Sequence, residues 1–132
     1  MYPKLIIDLK KLEDNSRLLA NLCFAENIEP VGVTKVTCGD PKVAQAMLAG
    51  GIRMLAESRI ENARRLREAG IDAPLLLLRL PMHSQADAVV ELFQCSLNSE
   101  LSTIRALDAA AAKAGVVHEI ILMVDLGDLR EG

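Results

Sequence analysis

The chain has 132 residues, of which 51% are hydrophobic and 25% are charged, and this composition suits a single packed domain of ordinary size. Its net charge is −3 without a basic stripe, so nucleic acid is not an expected partner. The longest apolar run, "APLLLL", is too short to cross a bilayer, and three widely spaced cysteines predict neither a zinc site nor a disulfide framework. The amino-terminal stretch lacks the features of a signal peptide, and we therefore expect a cytoplasmic protein with reduced thiols.

Strand-like and helix-like segments alternate along the chain. Six short segments rich in apolar or β-branched residues predict strands, at 4–8, 31–36, 52–56, 74–79, 95–98 and 118–125. The segments between them carry apolar residues at spacings of three and four and predict helices, at about 9–27, 41–49, 59–69, 84–93 and 100–114. The strand at 74–79 is apolar throughout, which is typical of a parallel sheet that is covered on both faces.

Capping residues support these boundaries. The residues predicted to cap helix amino termini are Asp8, Asp40, Ser58, and either Asn98 or Ser99. Pro41 follows Asp40 at the first helical position, and Glu61 completes a capping box with Ser58. Gly70 and Gly115 are placed to end the third and the last helix.

The short period of this alternation predicts right-handed βαβ units and a parallel sheet, and hence an α/β fold. An open doubly wound sheet would accommodate six strands in this length. A complete eight-stranded barrel needs roughly 250 residues and does not fit. Neither G-x-G-x-x-G nor a Walker loop follows a strand, which weakens a nucleotide-binding interpretation.

Polar residues gather at the carboxyl ends of the predicted strands, where α/β proteins keep their chemistry. The candidate site residues at these ends are Lys35, Glu57, Arg79, Asn98 and Arg130. Some have ordinary structural explanations, because Glu57 and Arg79 could form an ion pair and Asn98 could cap a helix.

Lys35 is harder to explain structurally, since it interrupts the apolar run "PVGVTKV". A charged group inside an apolar strand costs several kcal/mol unless it is paired or neutralised. A neutral amine has a chemical use, because it can attack an aldehyde to form a Schiff base. Pyridoxal phosphate supplies such an aldehyde together with a ring that accepts electrons.

Several separated motifs carry a family resemblance. The segments "LIIDLKKLEDNSRLLANL", "PVGVTKV" and "ILMVDLGDLREG" resemble the amino-terminal region of the alanine racemase family. The motifs "TKVTCGDP", "LAESRIEN", "SLNSEL" and "VDLGDLREG" are similar to its ornithine racemase-like branch. The resemblance runs through essentially the whole chain, with the motifs in the same order.

This resemblance implies a pyridoxal-phosphate enzyme of fold type III, in which a (β/α)8 barrel of TIM type holds the cofactor at its mouth, usually in a homodimer. Residues 1–132 would then form the amino-terminal part of the barrel, with about five of its eight strands, and the strand at 4–8 would lie outside the barrel. By position, Lys35 would form the internal aldimine and act as one racemisation base. Arg130 would contact both the cofactor and the substrate carboxylate, and Glu57, Arg79 and Asn98 would contribute to the cofactor site.

Two positions depart from the alanine racemases proper, which carry a tyrosine four residues after the lysine and commonly a lysine in the fifth strand. Here these positions are Gly39 and Met123. Both differences argue against alanine and favour an ornithine-type substrate. The second base of alanine racemases is a tyrosine from a later domain, and the one tyrosine here, Tyr2, is at the opposite end.

The sequence thus predicts a racemase of ornithine or alanine type, with an amino acid as its small-molecule partner and with neither a metal nor a membrane. Three alternatives stay open. "AESRIEN" also resembles the small pyridoxal-phosphate homeostasis proteins, which would make the chain a carrier without turnover. A class I aldolase also uses a Schiff-base lysine, although on a later strand. The chain could also be an inactive fragment of the racemase.

Overall fold

A computed structural model describes residues 3–127 and 129 of the chain. Its α-helices are α1 (Leu9–Ala25), α2 (Pro41–Ala49), α3 (Ile60–Glu68), α4 (Ala86–Leu92) and α5 (Leu101–Ala114). Its strands are β1 (Val31–Val33), β2 (Met54–Glu57), β3 (Leu75–Leu77), β4 (Cys95–Asn98) and β5 (Glu119–Leu122). Single 3-10 turns lie at Lys35–Thr37 and His83–Gln85. No helix within the described residues is both long and apolar enough to span a membrane.

The strands form one parallel sheet in the order β1-β2-β3-β4-β5, so each strand pairs with the next along the chain. Strands and helices therefore wind in a single direction. A doubly wound sheet would instead reverse its direction and place helices on both faces. This order confirms the parallel α/β prediction and gives the arrangement of an incomplete TIM-type barrel.

The two faces of the sheet carry different cores. Alternate strand residues such as Leu55, Leu75 and Leu77 belong to a large cluster to which all five helices contribute, for example through Leu66 and Leu107. The residues between them form a small cluster of strand side chains alone, around Ala56, Leu76 and Cys95. We call the first face the helix face and the second the inner face. The helices thus cover one face and leave the other free to line a cleft.

The predicted first strand is wrong. Residues 4–8 form no ladder with any described strand, and Leu5 and Ile6 are 84% and 87% exposed. Apolar and β-branched residues favour a strand only where a neighbouring strand supplies hydrogen bonds, and β1 pairs with β2 alone among the described residues. The segment instead leads into α1, whose amino terminus Asp8 caps by accepting a 3.1 Å hydrogen bond from the Lys11 amide.

Helix α1 packs closely on α2, and glycine is required at their contact. Ser16 and Ala20 are the buried residues of α1. A Cβ built on Gly50, which follows α2, would lie 2.4 Å from the Cβ of Ser16 and 2.6 Å from the carbonyl oxygen of Glu13. The end of α2 therefore approaches the backbone of α1 more closely than any side chain would allow.

The cap predictions divide into two groups. Asp40 accepts hydrogen bonds from the amides of Lys42 and Val43, with Pro41 at the first helical position, as predicted. The glycine ends are also confirmed, since Gly70 and Gly115 adopt φ values of +77° and +68° after their helices. The predictions for Ser58, Asn98 and Ser99 are wrong: the N-cap positions of α3 and α5 are Arg59 and Glu100, and neither side chain makes a capping hydrogen bond.

Candidate functional site

Lys35 does not lie within a strand, contrary to the sequence prediction. Strand β1 ends at Val33, and Lys35 is the first residue of the 3-10 turn that follows. Its side chain is exposed rather than buried inside an apolar strand. The chain places Lys35 at the carboxyl end of β1, which is the end where barrel enzymes keep their active sites.

The Lys35 side chain opens into a cleft on the inner face. This cleft, of about 570 Å³, is lined by Lys35, Ser58, Leu78, Arg79, Leu80, Leu97 and Met123. Leu78 and Leu97 pack against the inner-face cluster, so the floor of the cleft is apolar. Lys35 therefore projects toward the convergence of the strand ends rather than away from it. We refer to this space as the Lys35 cleft.

Backbone hydrogen bonds fix the turn that carries Lys35. The Thr34 amide donates to the carbonyl oxygen of Ala56 on β2 at 3.1 Å. The Thr34 carbonyl oxygen accepts from the Gly39 amide at 3.2 Å and from the Thr37 hydroxyl at 2.9 Å. The turn closes when the Cys38 amide donates to the Lys35 carbonyl oxygen at 3.1 Å. Thr34 is thus the fixed residue from which the turn is built.

Helix α3 supports the other side of this turn. Arg65 Nη1 donates a 2.6 Å hydrogen bond to the carbonyl oxygen of Cys38. Gly39 adopts a φ of +64°, and a Cβ there would lie 2.9 Å from both the Cβ and the carbonyl oxygen of Asn62. The absence of a side chain at Gly39 lets the turn rest directly on α3.

Glu57 is fully buried on the helix face. It forms no ion pair with Arg79, so the ion pair that the sequence suggested for these two residues is absent. Its Oε1 accepts a 2.7 Å hydrogen bond from the Thr34 hydroxyl. Its Oε2 accepts from the Ser58 amide at 3.1 Å and from Asn62 Nδ2 at 3.0 Å. The carboxylate is satisfied by uncharged donors, and it lies behind the Lys35 turn rather than in the cleft.

Arg79 is exposed and lines the Lys35 cleft. Within the described residues it takes part in no ion pair, since the ion pairs there join other side chains. An unpaired guanidinium beside a primary amine creates a positively charged opening. Such an opening suits an anionic ligand, and a guanidinium matches carboxylate or phosphate oxygens in a bidentate manner.

Asn98 is fully buried at the end of β4, on the helix face rather than in the cleft. Its Nδ2 donates to the Ser96 hydroxyl at 2.9 Å and to the Ser96 carbonyl oxygen at 3.0 Å. Its Oδ1 is buried and has no hydrogen-bond partner among the described residues. The side-chain amide of Asn98 is therefore held through its nitrogen, while its buried oxygen has no hydrogen-bond donor among the described residues.

His118 completes the Asn98 cluster. Its Nδ1 lies 3.2 Å from the Phe93 carbonyl oxygen, and its Nε2 lies 2.8 Å from the Ser96 hydroxyl. Because a carbonyl oxygen can only accept, Nδ1 carries the proton and the Ser96 hydroxyl donates to Nε2. Burial lowers the pKa of the imidazole from its usual 6.5, against smaller opposing effects of the Phe93 carbonyl and the Glu119 charge. The cluster thus holds a neutral histidine.

Arg130, predicted to bind cofactor and substrate, lies outside the described residues. Just before it, the Asp125 carboxylate accepts hydrogen bonds from the amides of Gly127 and Leu129, at 2.7 and 3.3 Å. Met123, at the position where alanine racemases commonly carry a lysine, lines the Lys35 cleft.

Sequence reasoning missed Thr34, Asn62, Ser96 and His118 as parts of these networks. One signal was available in the sequence. Thr34, Glu57, Ser96 and Asn98 fall in the strand phase that carries the helix-face apolar residues, so their polar groups had to find partners inside the protein.

The cleft residues fit a small anionic aldehyde. An exposed primary amine and an exposed guanidinium line the same space, and the leucines on its floor offer an apolar surface for a flat ring. Lys35 could bond the aldehyde carbon, and Arg79 could hold an anionic group.

Residues 7–132 match the family described as alanine racemase, N-terminal domain. The chain is 42% identical over 132 residues to a lysine racemase from Thermotoga maritima and 39% identical over the same length to an ornithine racemase from Acetoanaerobium sticklandii. All of this chain aligns in both cases, but it spans only 37% of each relative.

Solved structures share the fold. A D-threonine aldolase from Filomicrobium marinum superposes with a TM-score of 0.83 at 21% identity, covering 98% of this chain and 36% of the other. An alanine racemase from Streptomyces coelicolor gives 0.81 at 24% identity, covering 96% and 34%. An alanine racemase from Bartonella henselae, solved with covalently bound pyridoxal phosphate, gives 0.76 at 24% identity, covering 96% and 36%.

Proposed function

This chain belongs to the family of alanine racemase N-terminal domains, and we propose that it is the lysine-bearing part of a pyridoxal-phosphate-dependent racemase of a basic amino acid. The single observation that carries the proposal is the Lys35 amine, which opens into an apolar-floored cleft that the exposed guanidinium of Arg79 also lines. The chain spans 37% of its curated relatives, so the activity is proposed for the whole protein.

Pyridoxal phosphate, when bound, supplies an aldehyde that condenses with amines and a ring that accepts electrons from the substrate α-carbon. Lys35 Nζ would be the group that bonds the aldehyde carbon. Released from that bond, the same amine would accept or return the substrate α-proton. Arg79 would hold an anionic group at the rim, while Leu78 and Leu97 would exclude water from the floor.

Other predicted contacts belong to the same proposal. Arg130 is proposed to bind the cofactor and the substrate carboxylate. Direct contacts of Glu57 and Asn98 with the cofactor stay predictions, although both side chains are buried on the helix face. The homodimer and the cytoplasmic location also stay predictions.

A basic substrate is proposed for two reasons. The two curated relatives described above are named for lysine and ornithine. The chain also carries Gly39 and Met123 at the two positions where alanine racemases have tyrosine and commonly lysine. Racemisation of L-ornithine and L-lysine should therefore exceed that of L-alanine.

The test is to incubate the full-length protein with pyridoxal phosphate, reduce it with borohydride and map the modified lysine by mass spectrometry. We expect the label on Lys35. Lys35→Arg should abolish labelling at that position and reduce racemisation by about 10²- to 10⁴-fold, the usual contribution of a proton-transfer group. Lys42→Arg, an exposed lysine on α2, is the matched control and should retain the activity.

Two results would count against the proposal. A label spread over other lysines, with Lys35→Arg still active, would remove Lys35 from the chemistry. A label on Lys35 without loss of optical rotation of any of the three amino acids would favour the carrier function that the similarity of "AESRIEN" suggests.

A further inference from the structure

Glu57 is the one charged side chain that is buried within the described part of the chain. Burying a carboxylate costs several kcal/mol unless hydrogen bonds replace its hydration. Its partners are the hydroxyl of Thr34, the amide of Ser58 and the side-chain amide of Asn62, so no opposing charge offsets that cost. This buried carboxyl group lies at the back of the turn that carries Lys35.

The contacts of Glu57 converge on Thr34. The carboxylate holds the Thr34 hydroxyl at 2.7 Å, β2 holds the Thr34 amide through Ala56, and the Thr34 carbonyl oxygen accepts the bonds that close the turn. Side chain, amide and carbonyl of this residue are therefore all fixed. Lys35 follows one peptide bond later, so its Cα and the direction of its side chain are fixed as well.

The Lys35 amine makes no polar contact with the other described residues. Its side chain is exposed, and none of the hydrogen bonds or ion pairs within the described residues involves its amine. The backbone of the turn is therefore what aims the amine. By contrast, Glu57 lies on the helix face and does not line the cleft.

We infer that Glu57 and Thr34 are positioning residues for Lys35: their buried hydrogen bond fixes the start of the 3-10 turn so that the amine points into the Lys35 cleft. This inference rests on the proposed function of Lys35. The inference adds that Glu57 and Thr34, without bonding the cofactor, control how efficiently the Lys35 amine reacts with it.

Three variants of the full-length protein test this role. Thr34→Val keeps the shape of the side chain and removes the hydroxyl, whereas Thr34→Ser keeps the hydroxyl. Thr103→Val makes the same change at a buried threonine on α5, away from the turn, and is the matched control. Circular dichroism establishes that each variant is folded at the assay temperature.

Two rates are measured at Lys35 by mass spectrometry. The first is modification by pyridoxal phosphate trapped with borohydride, which requires a correctly aimed amine. The second is modification by trinitrobenzenesulfonate in the absence of the cofactor, which requires only an accessible amine. Misplacing a reacting group by about 1 Å can cost about 10²-fold.

We expect Thr34→Val to slow the first rate about 10- to 100-fold and to leave the second within about threefold. The turnover number for racemisation should fall with the first rate, while the KM for the amino acid stays nearly constant. Thr34→Ser should restore the wild-type values, and Thr103→Val should match the wild type in both rates even where its melting temperature is lower.

Equal pyridoxal labelling of Thr34→Val and Thr34→Ser would overturn the inference and leave the proposed function standing. Absence of Lys35 labelling in the wild type would overturn the proposed function and the inference together. If Thr34→Val does not fold, Glu57→Asp takes its place, because a carboxylate shortened by one methylene cannot reach all three donors. Lys35 of Glu57→Asp should be labelled by pyridoxal phosphate several-fold more slowly than in the wild type. Labelling at the wild-type rate would contradict the inference.

Discussion

Gly39 shows how one residue without a side chain can define a site. It sits four residues after Lys35 with a φ of +64°, in contact with the backbone of α3 at Asn62. A tyrosine, which the alanine racemases carry at this position, would have to displace that contact. The glycine therefore belongs to a turn geometry in which α3 itself supports the lysine.

We predict that Gly39→Ala destabilises the protein by about 1–3 kcal/mol more than Gly115→Ala. Both glycines have nearly the same positive φ, of +64° and +68°, so both variants share the backbone strain of about 1–2 kcal/mol. Only Gly39 has neighbours within 4 Å of the new Cβ; Gly115 has none. Urea unfolding monitored by circular dichroism measures the difference, and equal losses would mean that the turn does not press on α3.

At the scale of elements, sequence patterns succeeded where a short segment decides its own structure. β4 was predicted with its observed bounds, and Asp8 and Asp40 cap the helices that follow them, because these are local preferences. The segment at 4–8 failed, since a strand also needs a neighbour, which no local pattern reveals.

The same limit applies to the candidate site. Sequence periodicity and family resemblance placed Lys35 near the carboxyl end of β1, and the structure puts it at the cleft. The environment of Glu57 could not be predicted, because its partners include Thr34, which follows β1 and lies 23 positions away, and Asn62 on α3. Ser58 fitted a capping box on spacing alone, yet its amide donates to Glu57 instead.

The junction of β4 and β5 should respond to pH through His118. The neutral imidazole accepts from Ser96, and burial lowers its pKa in the folded state from the usual 6.5. The unfolded chain therefore binds more protons than the folded chain as the pH falls below about 6.5. The stability that neutral His118 contributes to the fold is fully present above pH 6.5 and is lost as the pH falls through its depressed folded-state pKa.

We predict that the free energy of unfolding of the wild type declines as the pH falls below about 6.5, and that His118→Gln flattens this decline. The chain has two histidines, and the other one, His83, provides the control. It is exposed, and its Nε2 lies 3.2 Å from the hydroxyl oxygen of Ser102. His83→Gln should leave the slope unchanged. Urea titrations at several pH values give the comparison, and identical slopes for both variants would assign the decline to other groups.

For the molecule as a whole, the sheet has two free edges within the described residues, at β1 and β5. All four residues of β5 are exposed, and Ile121 and Leu122 are 46% and 60% accessible. An apolar edge strand with unpaired backbone groups is a template for pairing with another chain. The same single-direction winding that gathers the cleft residues at one end thus leaves this strand uncovered.

We therefore predict that the 132-residue chain, produced by itself, self-associates through β5. Ile121→Lys places a charge on the inner face of this edge strand, a change that opposes edge-to-edge pairing. It should shift the sedimentation profile toward the monomer at a fixed protein concentration. Leu18→Lys, an equally drastic change at an exposed position of α1, is the control and should leave the sedimentation profile as in the wild type.

If Leu18→Lys dissociates the assembly and Ile121→Lys does not, the association surface is the outer side of α1. Because the free edge follows from the strand order, a shift with Ile121→Lys alone would connect the behaviour of the isolated chain directly to the winding of its barrel.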